Sequence, residues 1–279
     1  MSPTLLLIVY CLAIAGFSLI GGLLPTWIRM THTRTQLVMS LVSGLMLGVA
    51  FYHLLPHSVA LAGDDHGVDT AVWWLMIGLI VMLLLLRVFH FHQHDFSREE
   101  GSHHDHHHPE AHESPVHGLS WIGLALGLAL HTLIDGVALG AVMYAGSSAS
   151  GLVGIGVFLA ILLHKPLDAM SIVTVMEVGG WSRGARTTTN TVFALMCPLG
   201  ALLFFFGVDI LADSRNHVVA AALAFSAGTF ICIALSDLLP EVHFHSHDRV
   251  KLTIAFLLGI VVAYSIGSVE PVGIHLAAH

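Results

Sequence analysis

Apolar residues fill this chain in eight long runs, separated by shorter polar stretches, at approximately 4–25, 36–58, 71–91, 119–144, 151–178, 187–211, 216–240 and 250–270. Each run covers the roughly 20 residues that a helix needs to cross a bilayer. A helix also satisfies its own backbone polar groups in lipid. The pattern predicts an all-α membrane protein with eight transmembrane helices, counted below as spans one to eight.

Composition agrees. The chain of 279 residues is 56% hydrophobic and 10% charged, with a mean hydropathy of +0.83. A soluble domain carries about 25% charged residues. The opening run has no basic segment ahead of it and continues to Leu24, so it reads as a first span rather than a cleaved signal. Cys11, Cys197 and Cys232 all fall in spans without CxxC spacing, which indicates neither a disulfide framework nor a thiolate metal motif.

Basic residues set the expected orientation. Arg29 and Arg34 follow span one, Arg87 and Arg98 span three, Arg183 and Arg186 span five, and Arg249 and Lys251 span seven. Arg215 lies on the opposite side and Lys165 within a span, while the loop after span two carries Asp64, Asp65 and Asp69. The positive-inside rule then puts both termini outside and the odd-numbered exits in the cytoplasm. Short loops and the lack of an organelle signal point to a bacterial inner membrane.

Spans four and five carry the candidate chemistry. His131-Thr-Leu-Ile-Asp135 and His164-Lys-Pro-Leu-Asp168 each place an imidazole and a carboxylate four residues apart, on one helix face. Ionisable groups near mid-membrane are costly and by default mark a substrate or ion pathway. Two nitrogens and two carboxylates make a plausible first shell for a divalent transition metal.

A second pattern recurs. Gly44 leads after nine residues to His53-Leu-Leu-Pro-His57, and Gly228 leads after the same interval to Asp237-Leu-Leu-Pro-Glu241. The copies lie in spans two and seven, which run in opposite directions. An inverted repeat of spans one to three and six to eight, flanking the four–five pair, is therefore expected, with a site near the midplane. His53 and His57 would form an entrance, and Asp237 and Glu241 an exit. The alternative is that the prolines end helices and the polar residues cap them.

Between spans three and four, residues 92–118 are crowded with histidines, including His103, His104, His106, His107 and His108. Little here could build a core, so the loop should be disordered. It reads either as an accessory cytoplasmic metal-binding tract or as a solvated linker. The organisation expected is 1–91 for spans one to three, 92–118 for this loop, 119–178 for spans four and five, and 187–279 for spans six to eight and a short tail.

These motifs together resemble the ZIP (Zrt-, Irt-like) divalent metal transporters over nearly the whole chain. The resemblance implies a central metal site at His131, Asp135, His164 and Asp168, with His53 as a position contributed by span two. It also implies homodimers and alternating access, with helices one, four, five and six moving against the rest. Many members have a second metal position; here it maps to Thr132, Lys165 and Cys197, where two carboxylates are missing and a cation is present. The reading is a single-metal site in which the Lys165 ammonium replaces the second metal. Snorkelling to water is the alternative for that lysine.

The function expected is secondary transport of Zn²⁺, or of Fe²⁺, Mn²⁺, Co²⁺ or Cd²⁺, into the cytoplasm. Bilayer lipid and divalent ions are the expected partners, with no nucleic acid. No P-loop is present to suggest an ATP-driven pump. No enzymatic activity is expected. An intramembrane zinc hydrolase would use similar residues, but it leaves the repeat unexplained and the chain lacks a His-Glu-x-x-His motif. A metal-responsive membrane receptor is a further alternative.

Overall fold

The computed structural model describes residues 2–27, 32–63, 67–90, 120–147, 151–211, 214–238 and 249–267. Among these residues the chain is helical, with no strand, and eight helices are long and apolar enough to cross a membrane. Span one is Pro3–Trp27, span three Gly67–His90, span four Ser120–Ala145, span five Ile155–Val178 and span eight Arg249–Ile266. Span two joins His32–Val49, a π-helical turn Ala50–Leu54 and Leu55–Ala62. Span six is Arg183–Gly207 with a 3-10 turn Val208–Leu211, and span seven is Arg215–Ile233 with a π-helical turn Ala234–Leu238. Of the residues singled out above, Glu241 and the histidines of 92–118 lie outside the described residues, and Asp237 is described by its backbone alone.

Large apolar side chains such as Leu12, Trp73, Leu203 and Tyr264 point outward and are well exposed, as helices surrounded by lipid require. The interior mixes large apolar side chains such as Phe230, Met46 and Leu139 with small and polar ones such as Ala138, Ser43 and Thr132. Span seven is the most enclosed helix, and spans three and eight are the most exposed.

The helices pack in two sets. Span two packs on eight and three on seven, with the second half of two also against seven; span four packs on six, and one on both five and six. Exchanging one with six, two with seven, three with eight and four with five maps two–eight onto three–seven and four–six onto one–five, and returns two–seven and one–six to themselves. Glycine seams obey the same exchange. A Cβ at Gly44 would strike the Phe256 carbonyl of span eight, and one at Gly228 the Leu75 carbonyl of span three. Likewise Gly200 abuts the Leu133 carbonyl of span four and Gly21 the Pro166 backbone of span five. Leu133 and Pro166 each stand two residues after their span's histidine.

The two π-turns complete the correspondence. Each begins six residues after its seam glycine, and His53 and Asp237 are each its fourth residue. Spans two and seven lie antiparallel: early Ser43 donates to the late Ala234 carbonyl at 2.8 Å, and late Ser58 to the early Ala220 carbonyl at 2.7 Å. The Leu-Leu-Pro motif of span two does not end its helix, which continues from Leu55 to Ala62. The helix ends instead at Gly63, whose φ of 67° is left-handed and costs a glycine little.

A candidate metal site between spans four and five

Close packing of four on six and one on five fixes how spans four and five are rotated about their axes. As a result both His-x3-Asp faces meet. His131, Asp135, His164 and Asp168 each offer a ligand atom, and these atoms all lie within 4.8 Å of one another. His164 Nε2 is 3.2 Å from Asp135 Oδ2 and 3.8 Å from Asp168 Oδ2. His131 Nε2 is 3.4 Å and 3.5 Å from the same two oxygens.

The hydrogen bonds around the cluster leave lone pairs aimed inward. His164 Nδ1 donates to the Ala160 carbonyl one turn back, at 2.7 Å. This selects the tautomer whose Nε2 carries the lone pair, and it orients the ring as the outer partners of metal-ligating histidines do. The contact of Nε2 with Asp135 Oδ2 at 3.2 Å is then favourable with a cation between the two atoms, either a metal ion or a proton on Nε2. Asp135 Oδ1 is buried and has no hydrogen-bond partner among the described residues, and the same holds for His131 Nδ1. Orphaned polar atoms of this kind are costly unless something fills them, and a cation would satisfy the Asp135 oxygen.

Lys165 is 1% exposed, so it does not snorkel. Its Nζ donates to Asp135 Oδ2 at 2.5 Å, Thr132 Oγ1 at 3.0 Å and Asp168 Oδ2 at 3.1 Å. That uses all three ammonium protons. The Phe193 ring lies 5.6 Å from the ammonium, within reach of a cation–π contact. Nothing in the sequence singled out Phe193. Cys197 is buried on span six, its carbonyl lying against Gly136, and is not one of the clustered ligands.

His53 also stands outside the cluster. Its Nε2 bonds the Ala263 carbonyl of span eight at 2.8 Å, and its ring lies against Gly156 of span five. It thus joins spans from the two packing sets. His57 is buried one turn further along span two.

Exposure is uneven among the four ligands. The Asp168 side chain is 16% exposed, while those of Asp135, His131 and His164 are at most 3% exposed. Beyond Asp135, every residue from Ala138 to Met143 is buried, as are Val157, Ala160 and Ile161 facing them. Towards the end where span five finishes, Ala169, Ile172, Val173 and Met176 are buried as well. At the opposite end, Tyr144 donates to Asp209 Oδ1 at 2.6 Å, and Arg215 lies 3.5 Å from that oxygen. The one basic residue on the less basic side is thus matched by a carboxylate.

A model of the ZIP zinc transporter family matches residues 87–267. Zinc transporter ZIP9-B of Xenopus laevis is 29% identical over 269 residues, covering 82% of this chain and 84% of its own. Zinc transporter ZIP9 of Xenopus tropicalis is 28% identical over 266 residues, covering 82% of each. Zinc transporter ZIP9 of Micropogonias undulatus is 35% identical over 178 residues, or 63% of this chain and 52% of its own. With eight membrane-length helices, an internal repeat and a match across most of its length, this chain belongs to the ZIP zinc transporter family.

Proposed function

We propose that this protein carries Zn²⁺ across the membrane into the cytoplasm, holding one ion at a time between His131, Asp135, His164 and Asp168. The single observation carrying this reading is the convergence of those four ligand atoms within 4.8 Å, at the centre of the bundle and away from either surface. Mixed imidazole and carboxylate donors suit zinc, and Fe²⁺, Mn²⁺, Co²⁺ and Cd²⁺ match the same donors less selectively. The family match and the names of the ZIP9 relatives support zinc as the cargo.

Lys165 occupies the second cation position in this reading, beside Thr132 and Cys197, so one metal rather than two is bound. The ion would pass from His57 and His53 to the four ligands, and on towards Asp237 and Glu241. The basic loops support both termini outside, in a bacterial inner membrane if the short loops are the guide. Spans one, four, five and six, packed as one set, would move against the other four in a homodimer. The loop histidines, His103, His104, His106, His107 and His108 among them, would collect released metal.

The test is ⁶⁵Zn²⁺ uptake into proteoliposomes, comparing the natural chain with a His131→Ala/His164→Ala double variant. Saturable uptake that disappears in the variant is expected. A folded protein that binds zinc tightly without flux would instead favour a receptor or a hydrolase.

A further inference from the structure

The ammonium of Lys165 does more than fill space beside the ligands. It contacts both carboxylates of the cluster, Asp135 and Asp168, from within a site almost closed to water. Asp135 divides its two oxygens: Oδ2 accepts from Lys165, while Oδ1 has no hydrogen-bond partner among the described residues. The oxygens that face the imidazoles, Asp135 Oδ2 and Asp168 Oδ2, are also those the ammonium contacts, so each would serve the tethered cation and a bound one through its two lone pairs.

That arrangement fixes the charge of both carrier states. Counting the two carboxylates and the ammonium alone, the empty site has one net negative charge. A divalent cation turns this into one net positive charge. Without the ammonium and with both carboxylates ionised, the same two states would carry two negative charges and none, unless the empty site took up a proton. The cost of placing charge in a low-dielectric interior grows as its square, so the empty site would be about four times as costly to enclose. The loaded site would become cheap, but a carrier must also return empty.

We infer that Lys165 levels the charge of the empty and loaded carrier, and so permits the return of the empty site on which net uptake depends. This rests on the transport reading above. It assigns Lys165 a role in the mode of transport, distinct from ligating the metal. A carrier lacking the ammonium should be biased towards metal-for-metal exchange, because both half-cycles then run loaded.

Two fluxes separate the possibilities in proteoliposomes of the full chain. Net ⁶⁵Zn²⁺ uptake is measured into zinc-free vesicles, and exchange into vesicles preloaded with unlabelled Zn²⁺. In Lys165→Met the ratio of exchange to net uptake should rise by about tenfold or more, because an added penalty on the return barrier acts exponentially. Lys165→Arg, which keeps the charge, should bring the ratio back towards that of the natural chain. Equal losses of both fluxes in Lys165→Met, or an unchanged ratio, would overturn the inference. A second measurement needs no variant. At saturating zinc on both sides, exchange by the natural chain should vary with an imposed potassium diffusion potential, since the loaded site carries charge. Voltage-independent exchange would overturn it as well. A natural chain showing neither flux would instead sink the transport reading, and this inference with it.

Discussion

Lys165 and Asp135, on different helices, share the shortest polar contact of the candidate site: Nζ to Oδ2 at 2.5 Å, with both side chains at most 1% exposed. A pair so enclosed ties spans four and five together as firmly as any apolar contact between them, and each partner depends on the other.

Asp135→Asn keeps the shape of the side chain but leaves the lysine with Asp168 as its one carboxylate. Removing one partner of a buried ion pair costs about 3–5 kcal/mol. A clear fall in the unfolding midpoint in detergent is expected, measured by thermal scanning. Zinc bound per chain should also fall by one ion relative to the natural chain, measured by equilibrium dialysis and elemental analysis. Natural zinc content in a folded Asp135→Asn protein would remove the carboxylate from the proposed ligand set.

Lys165→Glu replaces the tethered cation by a third carboxylate, next to Thr132, Asp135 and Asp168. If the lysine stands where a second metal would sit, this variant should take up a second zinc ion or change its preference among divalent metals. Elemental analysis and competition with Cd²⁺ would read both. An unchanged stoichiometry and selectivity would argue that the lysine does not occupy a metal position.

His53 seals span two against spans five and eight, and its ring would meet a Cβ at Gly156 at 3.3 Å. Gly156→Ala must push the imidazole by a few tenths of an ångström, while the four central ligands stay untouched. The expected result is slower ⁶⁵Zn²⁺ uptake with zinc affinity at the central site unaltered. Equal loss of affinity and flux would place His53 among the ligands instead.

The glycine seams make a contrasting pair of predictions. A methyl group at Gly44 runs into the backbone of Phe256, which cannot yield without parting spans two and eight. At Gly16 nothing lies within 4 Å. Gly44→Ala should therefore lower the unfolding midpoint sharply. Gly16→Ala should leave it unchanged or raise it, by about 0.5–1 kcal/mol of helix propensity. Similar midpoints for the two variants would mean that the two–eight seam is looser than it looks.

The sequence by itself determined the features that depend on local pattern. Eight apolar runs of bilayer length became eight helices, because a segment's need to satisfy its backbone in lipid does not depend on its neighbours. His131 with Asp135, and His164 with Asp168, had to share a face because helical periodicity puts them there. The repeat of Gly44 and His53 in Gly228 and Asp237 was legible as spacing. Its reality as two matching π-turns was not, since a π-turn leaves no mark in residue type. Tertiary structure decided the rest. Whether two polar faces meet depends on how each helix is rotated and offset, and seams far along the chain, such as Gly200 on Leu133 and Gly21 on Pro166, settle that. The direction taken by Lys165 was open for the same reason. A long side chain reaches water or a carboxylate according to what surrounds it, and only the packed bundle put two carboxylates and Thr132 within its reach. His53 shows the converse: its motif marked it as polar in an apolar span, but the Ala263 carbonyl that holds it comes from the far end of the chain, beyond the reach of any local pattern.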